Sequence, residues 1–134
     1  MNNFKKGDTK IGFSMRERFR SFKDAFSGLV ILIKFEHNAR IHLTILIAVI
    51  FAGFILRITT TDWIAVVLTS GMVFVSECFN SSVEYLSDVV SPGQNESIKR
   101  AKDVAAAGVL ISAIISVIIG VIVFLPKLYK LFAT

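Results

Sequence analysis

The chain has 134 residues, 54% of them hydrophobic, with 12 Phe, 2 Pro and a single cysteine. That composition excludes a disordered chain, a disulfide scaffold and a collagen-like fibre, and the length suits one domain. A net charge of +5 suits either nucleic acid or an anionic membrane surface, and the distribution of the apolar residues favours the membrane.

Residues 1–13 read as a flexible basic tail and residues 14–134 as one membrane-embedded domain. From about 14 to 35, Met15, Phe19, Phe22, Phe26, Leu29, Val30 and Ile33 recur at spacings of three and four. Arg16, Glu17, Arg20, Lys23 and Asp24 fall largely on the other faces. This pattern predicts an amphipathic helix lying in the membrane interface, begun by an S-x-x-E capping box at Ser14 and Glu17.

A first span is expected over about 38–57, around the charge-free run 41–56. A second is expected over about 62–88, whose run from Trp63 through Ser76 ends at Glu77. The third is expected over about 102–125, where 22 residues from 104 onward carry no ionisable group. That run alone matches a hydrocarbon core of about 30 Å, and the first two reach it by extending into polar flanks. Ser91-Pro92-Gly93 supplies turn chemistry between the second and third spans. The fold class is therefore all-α, an integral membrane protein with three transmembrane helices and a surface helix before them.

The basic residues set the orientation. Nine of them, from Lys5 to Arg40, precede the first span; the first loop carries Arg57 and the second Lys99, Arg100 and Lys102. Only Lys127 and Lys130 follow the third span. The positive-inside bias places the N-terminus and second loop in the cytoplasm and the C-terminus outside, in the inner membrane. Trp63 then lies at the outer interface.

The chemistry gathers where the second span turns polar. Glu77, Asn80, Ser81, Glu84 and Asp88 share one stripe of a helix, at offsets of 0, 3, 4, 7 and 11. Counting about 1.5 Å per residue from Trp63 puts Glu77 inside the hydrocarbon core, towards its cytoplasmic side. A charge at mid-bilayer costs on the order of 2.5–3.5 kcal/mol on insertion scales, so such a residue usually faces a bundle interior or a water cavity. Glu36 and Arg40, one helical turn apart before the first span, reach the same depth, as do Lys99, Arg100, Lys102 and Asp103 before the third. Oxygen ligands beside Lys and Arg suit a divalent cation with a phosphate anion. No zinc-ligand spacing or G-x-x-x-x-G-K-[ST] loop is present. Spacing alone names no reaction.

The run from Glu77 to Asp88 has the pattern E-x-x-N-[ST]-x-x-E-x-x-x-D, and Ala101-Lys102-Asp103 follows it. With Glu36-His37-Asn38-Ala39-Arg40, these motifs resemble the prokaryotic diacylglycerol kinase family over roughly residues 15–125. The resemblance implies a small homotrimeric membrane enzyme that uses Mg-ATP to phosphorylate the hydroxyl of diacylglycerol or undecaprenol. It implies Glu77 as general base, and Glu36 and Glu84 as ligands of the Mg2+ that carries ATP. Lys102 and Asp103 match the nucleotide-binding pair, with Lys102 on the phosphates. Asn80 and Asp88 match supporting residues, and Arg40 a position that contacts lipid or orients the metal-side glutamate. The physics agrees, since phosphoryl transfer needs positioning and charge neutralisation more than covalent help.

Asp24 stands where diacylglycerol-using members carry an aromatic residue, so no role passes to it. Arg40-Ile41-His42 is more similar to the undecaprenol-kinase branch, which gives His42 either a bearing on lipid choice or a plain hydrogen-bonding place. In the third span Gly108, Ser112, Ser116 and Gly120 recur every four residues, a ridge that permits close helix approach and suits an oligomer. Two other classes compete. A small cation channel or accessory subunit would use the acidic stripe as an ion path, but residues 63–75 carry no ionisable group. A membrane-anchored nucleic-acid binder is disfavoured because the cations lie at membrane boundaries.

Overall fold

The computed structural model describes residues 14–132, so the basic tail assigned to residues 1–13 lies outside the described residues. Four helices follow in order: α1 (Met15–Phe35), α2 (His37–Ile55), α3 (Thr60–Val90) and α4 (Glu96–Phe132). Among the described residues there is no strand. α2, α3 and α4 are long and apolar enough to cross a membrane. α3 and α4 run well past the charge-free segments: 31 and 37 residues at about 1.5 Å each exceed a core of about 30 Å. α4 begins at Glu96 rather than near 102, and continues through Pro126 to Phe132 rather than ending near 125. Charged flanks continue a helix in water as readily as apolar residues do in lipid, so absence of charge marks the span and not the helix.

Each helix end has a local cause. Ser14 caps α1 by accepting the amide of Glu17. α1 and α2 are separated by one extended residue, Glu36 (φ −93°, ψ 119°), which is the C-cap of one and the N-cap of the other. α2 ends in a Schellman motif: Arg57 N–H donates to Phe54 O and Ile58 N–H to Gly53 O. The motif puts Arg57 in the left-handed region (φ 48°), where glycine is usual. Two residues on, Thr59 and Asp62 form a reciprocal capping box that starts α3. Asn95 starts α4, its Oδ1 accepting from the amides of Ser97 and Ile98.

α3 and α4 pair closely as an antiparallel hairpin, α2 packs more lightly on α3, and α1 touches α2 and α3. At one end of the hairpin, Lys127 Nζ lies 3.0 Å from Asp62 Oδ2, tying the last turns of α4 to the first turn of α3. Beside this tie Ile58, Val66 and Val123 form a small core with Val49, Trp63, Ile119 and Phe124 against it. Near the middle of the hairpin the Ser76 and Ser112 hydroxyls meet at 2.8 Å. Ser112 is the buried member of the small-residue ridge, and it is used within the chain. A Cβ on Gly108 or Gly120 would meet open space.

The partition of residues is the reverse of a soluble domain's. Phe19, Phe22, Phe26, Phe51, Phe54, Phe79 and many Ile, Leu and Val side chains of all four helices are exposed. The buried set instead includes Glu77, Asn80, Ser81, Ser87 and Ser112. Apolar surface on that scale needs lipid or partner helices against it, which is the condition of a membrane protein.

Candidate active site

α3 builds the site from one stripe, as helical geometry requires. Glu77 is the most deeply buried large side chain, 1% exposed, and Asn80 and Ser81 on the next turn are also buried. Burying a carboxylate is costly unless neighbours compensate, and the compensation here is incomplete. Glu77 Oε1, Asn80 Oδ1 and Ser81 Oγ are all buried without a hydrogen-bond partner. The neighbour of Glu77 on α2 is His42, whose Nε2 lies 3.3 Å from Oε1 in a contact slightly misaligned for a hydrogen bond. Buried polar atoms are usually bonded, so three unsatisfied ones on one stripe of α3 set this segment apart.

One turn further along, Asn80 Nδ2 donates to Glu84 Oε1 at 3.0 Å, leaving its own carbonyl oxygen free. Tyr85 donates its hydroxyl to Glu36 Oε1, so the break between α1 and α2 is held against α3. Glu36 and Glu84 both lie within electrostatic range of Glu77. The three carboxylates brought together are therefore Glu36, Glu77 and Glu84, from two elements. Among the described residues no cluster of three His, Cys, Asp or Glu side chains is close enough to enclose a metal ion. Mg2+ is commonly bound through only one or two carboxylates, with substrate phosphates and water completing the octahedron.

The nucleotide candidates lie at the α3–α4 turn. Lys102 Nζ donates to Asp88 Oδ1 at 3.1 Å, one turn beyond Glu84. Lys102, Asp103, Asp88 and Lys99 line a wide cleft with Ser91-Pro92-Gly93 and Asn95, open on its outer side. Arg40 stands apart, exposed on α2 beside His37, Ile41 and Thr44, and forms no ion pair with Glu36.

Two contacts at this site were not visible in the spacing as ones to the carboxylates. Tyr85 sits inside the motif at the edge of the acidic stripe, about 80° around the helix from Glu77, and its reach to Glu36 depends on how α1 and α2 dock. His42 carried only an open alternative, because the rotation of α2 against α3 decides whether it meets Glu77 or lipid. The signal available for both was polarity inside or beside an apolar run.

The chain matches the model of the prokaryotic diacylglycerol kinase family over residues 23–124. It is 34% identical over 110 residues to the undecaprenol kinase of Bacillus subtilis, covering 82% of this chain and 89% of that protein. It is 36% identical over 112 residues to a diacylglycerol kinase of Synechocystis sp., covering 83% of this chain and 64% of that protein. With the E-x-x-N-[ST]-x-x-E stripe folded around a buried Glu77, the chain belongs to the prokaryotic diacylglycerol kinase family.

Proposed function

We propose that this chain, a lipid kinase by its family, transfers the γ-phosphate of Mg-ATP to the hydroxyl of diacylglycerol or undecaprenol at the cytoplasmic interface of the inner membrane. The observation that carries the reading is Glu77, a carboxylate buried in an apolar helix bundle with an unbonded oxygen and two further carboxylates close by. Glu77 takes the proton of the acceptor hydroxyl as that oxygen attacks the γ-phosphorus. The bond to the β-phosphate breaks, and lipid phosphate and ADP are the products. Glu36 and Glu84 hold the divalent cation, which when bound neutralises charge on the phosphates. Lys102 leaves Asp88 to contact the phosphates, Asp103 assists in binding the nucleotide, and Asn80 keeps Glu84 in place. Arg40, exposed at the start of α2, contacts lipid.

α1 lies along the cytoplasmic surface with its phenylalanines in lipid, a reading supported by the exposure of Phe19, Phe22 and Phe26. The basic N-terminal segment and the α3–α4 turn are cytoplasmic, and the C-terminus is outside. The protein works as a homotrimer; the exposed apolar faces of its helices supply surface for contacts between copies as well as for lipid. The ion-path alternative loses support from the fold. Beyond Glu77 the stripe of α3 continues through Val73, Ser70 and Val66, so its ionisable character stops short of crossing the membrane.

Purified protein in mixed micelles, supplied with Mg-ATP and either diacylglycerol or undecaprenol, is expected to form the corresponding lipid phosphate. Formation of neither contradicts the proposal.

A further inference from the structure

We infer that His42 is a positioning residue for the reaction, acting through Glu77, and this rests on the kinase reading given above. Its place in the fold is specific. Nε2 stands 3.3 Å from Oε1 of the buried carboxylate, and that oxygen has no other polar partner. The imidazole is four-fifths buried, so the contact is shielded from bulk water, which would weaken the pull of a charged or dipolar partner. His42 also lines the groove that runs between α2, α3 and α4 past Ile45, Val49 and Val66. Of the side chains lining that groove it alone is ionisable.

A glutamate side chain has three rotatable bonds, and a base that samples several rotamers spends little time within reach of the acceptor hydroxyl. An N–H donor fixed on a neighbouring helix selects one rotamer while leaving lone pairs free, because each carboxylate oxygen accepts from more than one donor. The present contact is slightly misaligned for a hydrogen bond. Catalytic hydrogen bonds commonly lie so before substrate is bound, and tighten in the reactive complex. Nε2 carries the required hydrogen in the imidazolium and in one neutral tautomer, so the role needs no change of protonation during turnover. The residue adds no bonding step to the reaction; the proton still passes from lipid hydroxyl to Glu77.

The test compares His42→Leu, which keeps bulk without a donor, with His42→Gln, which keeps an N–H, using the full-length protein in micelles. His42→Leu is expected to lower kcat by about 10–100-fold while the KM for ATP stays within about twofold. His42→Gln should recover at least about fivefold of that loss. In a Glu77→Asp background, where the shorter side chain has already left His42, His42→Leu should cost less than about twofold. A kcat near the wild-type value in His42→Leu, a glutamine variant no better than leucine, or a full multiplicative loss in Glu77→Asp would each overturn the assignment. Loss of assembly in both His42 variants would also overturn it, by making the residue structural. Absence of lipid phosphorylation by the wild type is a separate outcome, contradicting the kinase reading itself.

Discussion

Tyr85 on α3 donates its hydroxyl to Oε1 of Glu36, the single extended residue between α1 and α2. One hydrogen bond thus joins α3 to the junction of α1 and α2. A carboxylate offers about four acceptor positions, so the proposed metal role of Glu36 is compatible with the phenol, which would order it for the ion. Tyr85→Phe is expected to raise the Mg2+ concentration for half-maximal turnover by about 3–10-fold, the equivalent of one hydrogen bond of about 1 kcal/mol. Titrating Mg2+ at saturating ATP measures it. An unchanged or lower requirement would show that Tyr85 competes with the cation or does nothing for it.

Lys102 is held by Asp88 at 3.1 Å in a cleft open on its outer side. A lysine on ATP phosphates makes charge-assisted bonds of about 1.5–3 kcal/mol, so Lys102→Met should raise the KM for ATP by about 10–100-fold. The KM for lipid should not move. Equal changes in both constants would show that Lys102 supports the fold of the α3–α4 turn instead.

Gly53 is where α2 makes room for Trp63. A Cβ there would lie 2.7 Å from one indole carbon, 2.9 Å from another and 3.1 Å from Ile58 Cδ1. The ring cannot retreat freely, because it packs on Phe54 with centroids 5.0 Å apart and belongs to the small core around Ile58. Gly53→Ala should therefore lower stability by about 1–3 kcal/mol through overpacking. Trp63 is the sole tryptophan, so its emission should shift in the same variant. An unshifted spectrum with an unchanged Tm contradicts the packing described.

Arg57 occupies the left-handed position of the Schellman motif ending α2. A side chain there costs about 1–2 kcal/mol, so Arg57→Gly should raise the Tm, the extra freedom of glycine in the unfolded chain offsetting part of the gain. A lower Tm would mean that the arginine side chain contributes more than its backbone costs.

The three spans and the acidic stripe were legible because each is a one-dimensional property. A charge-free run of sufficient length is apolar on every face, and Glu77, Asn80 and Glu84 share a face by helical period alone. The contacts made to the stripe were hidden, because His42 reaches Glu77 and Tyr85 reaches Glu36 only at one particular rotation of α2 and α1 against α3. The gap between the helix expected over about 14–35 and the span expected from about 38 is where Glu36 stands extended, ending one helix while starting another. No proline or glycine marks that break. The Thr59–Asp62 capping box has a spacing visible in the sequence, while its continuation to Lys127 depends on the hairpin.

Whether Glu77 is the base of a lipid kinase is decided by following radiolabel from the γ-position of ATP into lipid. Wild-type protein and Glu77→Gln would be assayed with diacylglycerol and, separately, undecaprenol. The wild type should label one of the two, while Glu77→Gln should assemble normally and label it about 10²–10⁴-fold more slowly. Label in neither lipid, or equal labelling by Glu77→Gln, would contradict the account.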